Sequence, residues 1–468
     1  MKIGKLIAFE DGLSEISGRP VVRLRILNEG AVDVFQRLSS YPGCFLLDSH
    51  DVTKVILHLT LQIKLPDTKR KQFAILRLTC KLWKDIVDSF TDCLSDADLL
   101  LAVTGGKVES LRFLLTRAEL DPSSKDIGLL CRASEGESTE IVRLLLNDPR
   151  IIPSAGCEAI ILAAKCGRTS TVQLLLSDPR VDPSAEDNQA IKLAARYGHT
   201  ETVRLLLFDS RVDPSAQDNS AVTDAARYGH TETVRLLLFD SRVDPSAHDN
   251  GSIRYAASRG HTETVRLLLS DSRVDPSTQD NVPIRYAAIE GRTETVRLLL
   301  SDSRVDPSAQ DNYAIKNAAR YGQTETVRLL LSDSRVDPSA HDNVPIMNAA
   351  RFGHTETVSL LLSDSRVDPS SQSDEAIRKA TLGGHIETVQ LLLADDRVNP
   401  NSNNLILEAA AGGHADVAEL LLSHPRVNAS AQLDEAKRRA TEGGHTKVVQ
   451  LLDDYQRQKS VQKFSSRE

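Results

Sequence analysis

The chain has 468 residues, and its 40% hydrophobic and 26% charged content suits a soluble folded protein. A formal net charge of −8 argues against general nucleic-acid binding, which needs a basic surface. No apolar run approaches the ~20 residues of a membrane-spanning helix, and the opening M-K-I-G-K-L-I-A-F-E-D-G is not typical of a signal peptide.

All six cysteines fall within the first 166 residues. Their spacing matches neither a disulfide framework nor a metal site, so we expect reduced thiols in an intracellular protein. We accordingly expect a cytoplasmic location, with the nucleus as the alternative. The cysteines are Cys44, Cys80, Cys93, Cys131, Cys157 and Cys166.

Residues 1–44 carry two local patterns with different periods. V-V-R-L-R-I-L alternates as a strand does, whereas A-V-D-V-F-Q-R-L has the spacing of a helix. The two patterns together leave the structure of this segment undetermined.

Residues 45–92 predict a small helical domain. F-L-L-D-S-H-D-V-T-K-V-I-L-H-L is followed, after a polar insertion, by I-L-R-L-T-C-K-L-W-K-D-I-V, and both have apolar residues on one helical face. The segment resembles the F-box, with its leading leucine, apolar helix and L-R-x-V-C-K-x-W. The resemblance implies docking on the Skp-type linker of a cullin-RING ubiquitin ligase. Its contact or core residues would be Leu47, Ile56, Leu76, Cys80 and Trp83.

This segment departs from the F-box pattern in two ways. Asp48 stands where a proline is expected, and the insertion around Leu65-Pro66-Asp67 is long, so the F-box-like domain is degenerate. The alternative interpretation is a helical N-terminal cap whose only tryptophan, Trp83, lies in its core.

From residue 93 to residue 453 the chain repeats with a period of 31 residues. A glycine recurs twelve times, and in six consecutive repeats T-E-T-V-R-L-L-L or T-E-T-V-S-L-L-L begins two residues after it. A fixed period of this length predicts a stack of about twelve similar supersecondary units. The glycines are Gly106, Gly136, Gly167, Gly198, Gly229, Gly260, Gly291, Gly322, Gly353, Gly384, Gly413 and Gly444.

One unit, residues 311–340, predicts two helices and a finger that connects them to the next unit. Apolar residues from Ala314 to Ala319 recur at helical spacing, and Asn312 stands in the capping position before them. Gly322 fits a left-handed helix end. The leucines after Val327 build a second helix, which ends before an Asp-Pro pair. R-V-D-P-S-A-Q-D-N then forms an extended loop or hairpin.

This unit resembles the ankyrin repeat. The pattern T-P-L-H-x-A-A-x-x-G-H-x-x-V-V-x-L-L-L is matched by V-P-I-R-Y-A-A-I-E-G-R-T-E-T-V-R-L-L-L from Val282 to Leu300, although the unit is shorter than the family's ~33 residues. The resemblance implies an all-α fold, an ankyrin-type α-solenoid of helix-turn-helix repeats with short extended fingers, beside the small helical N-terminal domain. Residues 454–468 are a polar C-terminal tail. The finger D-S-R-V-D-P-S-A-x-D-N is similar to ankyrin proteins of giant DNA viruses of amoebae, whose site of action would be the host cytoplasm.

A histidine follows the glycine in seven repeats. Stacked helices lie ~8–10 Å apart, whereas zinc ligands converge to ~2 Å from the metal, so these side chains cannot form a metal site. We assign them a structural role at the start of the second helix. No catalytic motif is present, so we expect no enzyme activity and no cofactor or metal. The histidines are His199, His230, His261, His354, His385, His414 and His445.

Six consecutive repeats carry one arginine and one aromatic residue on the first helix. In the ankyrin fold the two residues before the glycine face the concave groove. Two repeats carry the pair four residues earlier instead, and positions four apart share a helix face. We expect an exposed Arg–aromatic stripe that binds a partner protein, since arginine and tyrosine are enriched in interface hot spots. The stripe comprises Arg196, Tyr197, Arg227, Tyr228, Arg254, Tyr255, Arg285, Tyr286, Arg320, Tyr321, Arg351 and Phe352.

The stripe has an alternative explanation in internal duplication and ordinary packing between repeats. The arginines would then pair with the finger aspartates Asp187, Asp218, Asp249, Asp280, Asp311 and Asp342.

These features together indicate a monomeric, non-catalytic adaptor. Its groove would bind a target protein, and its F-box-like domain would recruit a ubiquitin ligase; we expect neither nucleic acid nor membrane as a partner. The alternative is an ankyrin scaffold, or a binder that sequesters a host protein, with no ubiquitin-ligase link.

Overall fold

The computed structural model describes residues 95–123, 128–151 and 154–465, together with four short strands between residues 7 and 26. The chain divides into two compact units, Met1–Leu101 with Phe113–Asp121 and Ala102–Arg112 with Pro122–Glu468. The F-box-like residues Leu47, Ile56, Leu76, Cys80 and Trp83 lie outside the described residues.

The strands form two separate antiparallel pairs. Strand β1 (Ile7–Phe9) pairs with β4 (Leu24–Ile26), and β2 (Ser14–Ile16) pairs with β3 (Arg19–Val21). The register joins Ile7 to Ile26 in the first pair. Strand β4 therefore lies within the alternating V-V-R-L-R-I-L segment, and β3 ends at the first residue of that segment, Val21.

From residue 95 onward, the described part of the chain forms twenty-four helices, which follow one another as twelve pairs. The first helices of the pairs are α1 (Asp96–Thr104), α3 (Leu129–Glu135), α5 (Ser154–Lys165), α7 (Ala185–Arg196), α9 (Ala216–Arg227), α11 (Ala247–Arg259), α13 (Thr278–Ile289), α15 (Ala309–Arg320), α17 (Ala340–Arg351), α19 (Ser371–Leu382), α21 (Leu405–Gly412) and α23 (Leu433–Glu442). The second helices are α2 (Val108–Leu115), α4 (Thr139–Leu146), α6 (Thr169–Leu176), α8 (Thr200–Phe208), α10 (Thr231–Leu238), α12 (Thr262–Leu269), α14 (Thr293–Leu300), α16 (Thr324–Leu331), α18 (Thr355–Leu362), α20 (Ile386–Ala394), α22 (Ala415–Ser423) and α24 (Thr446–Ser465).

First helices pack mainly on the first helices of neighbouring repeats, whereas a second helix contacts both the neighbouring second helices and the first helix of its own repeat. From α3 onward first helices contact first helices, and from α4 onward second helices contact second helices. In repeat 8 (α15 and α16) the small residues Ala318 and Ala319 and the apolar Val327 and Leu330 are fully buried, so the helices can approach closely. The predicted all-helical ankyrin-type solenoid is confirmed. Helix α24 continues to Ser465, through residues for which the sequence predicts a polar tail.

The start of the first helix differs from the sequence prediction. Gln310, Asp311 and Asn312 all have positive φ angles of 51°, 54° and 61°, a left-handed turn that the bounds of α15 include. Asn312 therefore does not cap its own helix. Its Oδ1 instead accepts a hydrogen bond of 2.7 Å from the backbone N–H of Asp337, in the finger of the next repeat.

The left-handed turn recurs in the seven first helices α7, α9, α11, α13, α15, α17 and α19. A left-handed residue costs about 1–2 kcal/mol, and Asn and Asp tolerate that conformation better than most residues. The buried bond to the next repeat offsets part of this cost. The residues that accept it are Asn188, Asn219, Asn250, Asn281, Asn312, Asn343 and Asp374.

The finger is a pair of turns rather than an extended hairpin. No strand is present between residues 154 and 465. Asp306 Oδ1 accepts bonds from the N–H (2.9 Å) and the hydroxyl (2.6 Å) of Ser308, the usual geometry of a turn built on an aspartate. The D-P-S sequence therefore makes a compact corner between the helices.

An arginine in each finger joins its repeat to the one before. Arg304 donates to the Asp302 carboxylate at 2.7 and 3.0 Å, and also to the carbonyls of Val274 (3.0 Å) and Leu269 (3.1 Å) in the preceding repeat. Leu269 ends α12, so the guanidinium satisfies a helix-terminal carbonyl that has no helical partner. The equivalent arginines are Arg211, Arg242, Arg273, Arg335, Arg366 and Arg397.

Candidate functional site

The aromatic residues of the Arg–aromatic stripe are mostly exposed. An exposed large aromatic side chain has no role in the core, so a row of them is a candidate contact surface. Tyr255 is half-buried. The exposed members, with their exposed fractions, are Tyr197 (46%), Tyr228 (39%), Tyr286 (48%), Tyr321 (52%) and Phe352 (41%).

The stripe is built between repeats, because an arginine of one repeat stacks on an aromatic ring of the next. The Arg196 guanidinium lies 5.3 Å from the Tyr228 ring centroid and donates to its hydroxyl at 3.1 Å. Arg227 lies 4.7 Å from the Tyr255 ring. The same arrangement joins Arg320 to Phe352 at 5.4 Å.

Three arginines also approach the ring of their own repeat. The distances are 5.6 Å from Arg254 to Tyr255, 5.8 Å from Arg320 to Tyr321, and 5.6 Å from Arg351 to Phe352.

The two Arg–aromatic pairs that lie four residues earlier on their helices, Arg254–Tyr255 and Arg285–Tyr286, make different contacts. Arg254 joins Arg227 around the Tyr255 ring, so this pair keeps contact with its neighbour. Arg285 is only 9% exposed, which differs from the expected open position. Its Nη1 donates to the carbonyls of Gln279 (3.3 Å) and Asp280 (3.1 Å), in the left-handed turn.

Tyr313 is a stripe residue that sequence reasoning missed. Its ring lies 4.4 Å from the Arg285 guanidinium, the shortest such contact among the stripe residues. Tyr313 directly follows Asn312 in α15, at a position where none of the other repeats carries an aromatic residue. That single aromatic substitution was the available signal.

The finger aspartates do not pair with the stripe arginines, which corrects the alternative explanation of the stripe. Asp311 Oδ2 lies 3.0 Å from Nε2 of His341, and Asp249 Oδ2 accepts a bond of 2.8 Å from Gln279. In each case the partner is the first left-handed residue of the next repeat. The same geometry joins Asp218 to His248, Asp280 to Gln310, and Asp342 to Gln372.

Three stripe arginines have no acceptor for their guanidinium groups. Within the described residues, Arg227, Arg320 and Arg351 make ring contacts but no side-chain hydrogen bond and no ion pair. The finger arginines, such as Arg304, are in contrast each bound to an aspartate. The stripe therefore presents oriented cations whose donors are available to another molecule.

The histidine of each of the seven repeats that carry it contacts a backbone carbonyl of the repeat before it. His261 Nε2 lies 3.1 Å from the carbonyl of Arg227 in the preceding repeat, and a carbonyl only accepts, so Nε2 carries the proton. Arg292 and Gln323, which replace the histidine in two repeats, donate to the equivalent carbonyls. An N–H donor is thus the shared requirement of this position. No cluster of three metal-ligating side chains occurs in the described part of the chain.

The structure describes three cysteines, of which Cys157 and Cys166 have free thiols. Cys131 is not an activated nucleophile. Burial, reinforced by the neighbouring Glu158 carboxylate, raises the pKa of Cys131 to about 12. The thiol therefore stays protonated at neutral pH, and the thiolate is the reactive form. Among the described helices, none combines the length and apolarity that crossing a membrane demands.

Comparison with known families identifies the repeating unit. The family model described as ankyrin repeats (3 copies) matches this chain in five overlapping stretches. No curated protein matches the chain. The matched residues are 99–187, 179–249, 223–311, 284–373 and 315–404.

Proposed function

The chain belongs to the ankyrin-repeat family, and from this premise we propose that it is an adaptor whose Arg–aromatic stripe holds a target protein. Ankyrin repeats are protein–protein interaction scaffolds and generally carry no catalytic activity. The finer proposal concerns which face of this array is used and what it is used for.

The observation that carries this proposal is the group of arginines without acceptors. Arg227, Arg320 and Arg351 are oriented by aromatic rings, and their donors have no partner within the described residues. Arginine and tyrosine dominate interface hot spots because they combine a large contact area with directional donors. A single exposed cation–π pair contributes only ~0.5–1 kcal/mol, so a partner must engage several repeats at once.

A charge-reversal variant with a matched control tests the stripe. Arg196, Arg227, Arg320 and Arg351 are changed to Glu in one protein. The control changes Arg235, Arg266, Arg297 and Arg328 on the second helices, each exposed and three residues after a glutamate. Both variants carry the same change in net charge, so nonspecific electrostatics are matched.

Proteins that co-purify with the wild type and the control should be lost from the stripe variant. Thermal unfolding of the stripe variant should stay within a few degrees of the wild type. Equal recovery of the same proteins by all three forms would refute the assignment of the stripe.

We further propose that residues 45–92 recruit a cullin-RING ubiquitin ligase through its Skp-type linker. The support is the F-box-like run from Leu76 to Trp83 in the sequence. Wild type should co-purify with the linker and Trp83→Ala should not. If the linker co-purifies equally with both proteins, or with neither, residues 45–92 do not recruit the ligase.

A scaffold or sequestering binder remains the second candidate, since the ankyrin match alone supports it equally. The half-life of a captured target separates the two. An adaptor shortens that half-life in a manner that proteasome inhibition reverses, whereas a sequestering binder leaves it unchanged or lengthens it.

A further inference from the structure

A cavity of about 330 Å³ lies on the first-helix face of repeats 4 to 6, beside the stripe. Three cations, Lys192, Arg227 and Arg254, line it, together with two carboxylates, Asp224 and Asp249. Tyr255 forms part of the wall. The volume is at the small end of the range for ligand pockets, which suits a single side chain with its adjoining backbone.

Two of the three cations are already committed to acceptors in the protein. Lys192 Nζ donates to Gln217 Oε1 at 2.5 Å. Arg254 donates to the carbonyl of His248 at 2.9 Å and to Gln279 Oε1 at 3.2 Å.

Arg227 differs from these two cations. Tyr255 holds its guanidinium at 4.7 Å, and none of its donors meets an acceptor within the described residues. Its Nε is buried without a partner, as that of Arg254 is, but Arg254 donates through its other nitrogens. A half-buried arginine whose donors have no acceptor is stabilised by an anion. A carboxylate fits best, because its two oxygens can accept two parallel N–H bonds from the planar guanidinium.

The carboxylates of the cavity indicate what kind of anion fits. The Asp249 carboxylate accepts a hydrogen bond of 2.8 Å from Gln279, whereas the Asp224 carboxylate makes no hydrogen bond within the described residues. Asp224 can accept from backbone N–H groups of a bound segment. A phosphate dianion would be repelled by both aspartates, while a singly charged carboxylate meets less repulsion.

We infer that this cavity binds the carboxylate of an Asp or Glu side chain in an extended segment of the partner protein, paired with Arg227. The inference rests on the proposed function, because it names the partner chemistry for part of the same stripe. Asp224 accepts the adjoining N–H group, and Tyr255 packs on the segment.

Peptide selection on the full chain provides the test. Short random peptides displayed on phage are selected on the wild-type protein and counter-selected on the quadruple stripe variant. Synthetic versions are then measured by fluorescence anisotropy on wild type, Arg227→Gln, Arg227→Lys and the control Arg235→Gln, which lies on α10 of the same repeat. Circular dichroism on each variant confirms the fold.

Selected peptides should share an acidic position. Replacing that acid by its amide should weaken binding to wild type about 10-fold, the equivalent of one lost charge-assisted bond. The same replacement should change binding to Arg227→Gln less than 2-fold. Arg227→Lys should lie between the two, and Arg235→Gln should match the wild type.

Each other outcome has a defined meaning. Peptides that the stripe variant rejects but that need no acid, or whose acid is not coupled to Arg227, overturn this inference and leave the proposed function standing. Tighter binding of a phosphoserine peptide than of its aspartate counterpart overturns the carboxylate assignment. Failure to select any peptide that distinguishes wild type from the stripe variant counts against both proposals.

Discussion

At the scale of single residues, Gly229, which follows the first helix α9, has two independent reasons to be glycine. Gly229 has a φ of 76°, and a Cβ there would lie 2.5 Å from Nδ1 of His261. In Gly229→Ala, the alanine must therefore adopt a left-handed conformation. It must also displace the His261 ring, which bonds the Arg227 carbonyl two residues before Gly229. We expect a loss in unfolding free energy above the ~1–2 kcal/mol of the backbone conformation alone, measured by urea denaturation.

The last repeat supplies the control for that substitution. Gly444 has nearly the same φ of 73°, but no atom lies within 4 Å of a Cβ built on it. Gly444→Ala should cost only the backbone contribution of ~1–2 kcal/mol. Equal losses for the two variants would mean that the histidine ring moves aside without cost.

His261 predicts a pH dependence whose sign follows from burial. Desolvation lowers the pKa of His261 below 6.5, and the positive charges of the nearby Arg259 and Arg292 lower it further, while its bond to the Arg227 carbonyl opposes this. The unfolded chain therefore binds the proton more readily than the folded chain. The stabilising effect of the neutral ring is present above pH 6.5 and is lost as the pH falls below it.

His261→Gln isolates this contribution, because Gln323 already fills the equivalent position and donates to the equivalent carbonyl, that of Ile289, at 3.1 Å. The unfolding free energy of the wild type should fall more steeply than that of His261→Gln between about pH 7.5 and pH 5.5. Parallel curves in chemical denaturation at several pH values would contradict the assignment.

The sequence alone predicted the residues that act within one repeat. Gly322 has the left-handed conformation expected for a helix end, and Ala318 and Ala319 are buried as their spacing indicates. Asn312 was misread as a local cap because its true partner, Asp337, lies 25 residues away. In a repeat protein every such partner has a copy inside the same unit, so the pattern cannot show whether a bond is made within a repeat or with the next one.

At the scale of elements, the finger arginine holds a helix end of the preceding repeat. Arg304 binds the Asp302 carboxylate through two nitrogens and reaches the carbonyls of Val274 and Leu269. The same side-chain bond holds the pKa of Asp302 below its usual value. Arg304→Lys keeps the charge but loses the planar guanidinium, whose nitrogens reach the carboxylate and both carbonyls at once. We expect a loss of ~1–3 kcal/mol in unfolding free energy.

Arg297→Lys is the matched control for this change. Arg297 lies on the adjacent helix α14, is 59% exposed, and pairs only with Glu294 at 3.4 Å. Exposed pairs of this kind contribute ~0–1 kcal/mol, so the control should be almost as stable as the wild type. A comparable loss in both variants, measured by thermal and urea unfolding, would show that the bonds between repeats are not what Arg304 supplies.

The stripe shows why sequence reasoning reached the right residue types but not their arrangement. The recurring Arg and aromatic residues were visible, and Tyr228, Tyr321 and Phe352 are exposed as predicted. The stacking of four of the six arginines on a ring of the next repeat was not visible. One of the four, Arg285, is buried against Tyr313. The stripe is therefore both a packing device between repeats and a candidate surface.

At the scale of the whole molecule, a chain whose described helices pack on those of adjacent repeats should respond locally to the loss of a buried side chain. Leu330 is fully buried in repeat 8, and Leu452 is 1% exposed at the equivalent position of repeat 12. Removing a buried leucine side chain costs ~2–5 kcal/mol, yet nearest-neighbour coupling confines the effect.

Hydrogen exchange of the two leucine variants tests this locality. Leu330→Ala should speed exchange most in repeats 7 to 9, with an effect that declines on both sides. Leu452→Ala should speed exchange in repeats 11 and 12 and leave the amides of α13 to α16 at wild-type rates. A uniform increase across all helices in either variant would mean that the array unfolds as one core, because only global unfolding exposes every amide equally. Comparing the exchange rates of the interior variant Leu330→Ala and the terminal variant Leu452→Ala thus measures over how many repeats one repeat stabilises its neighbours.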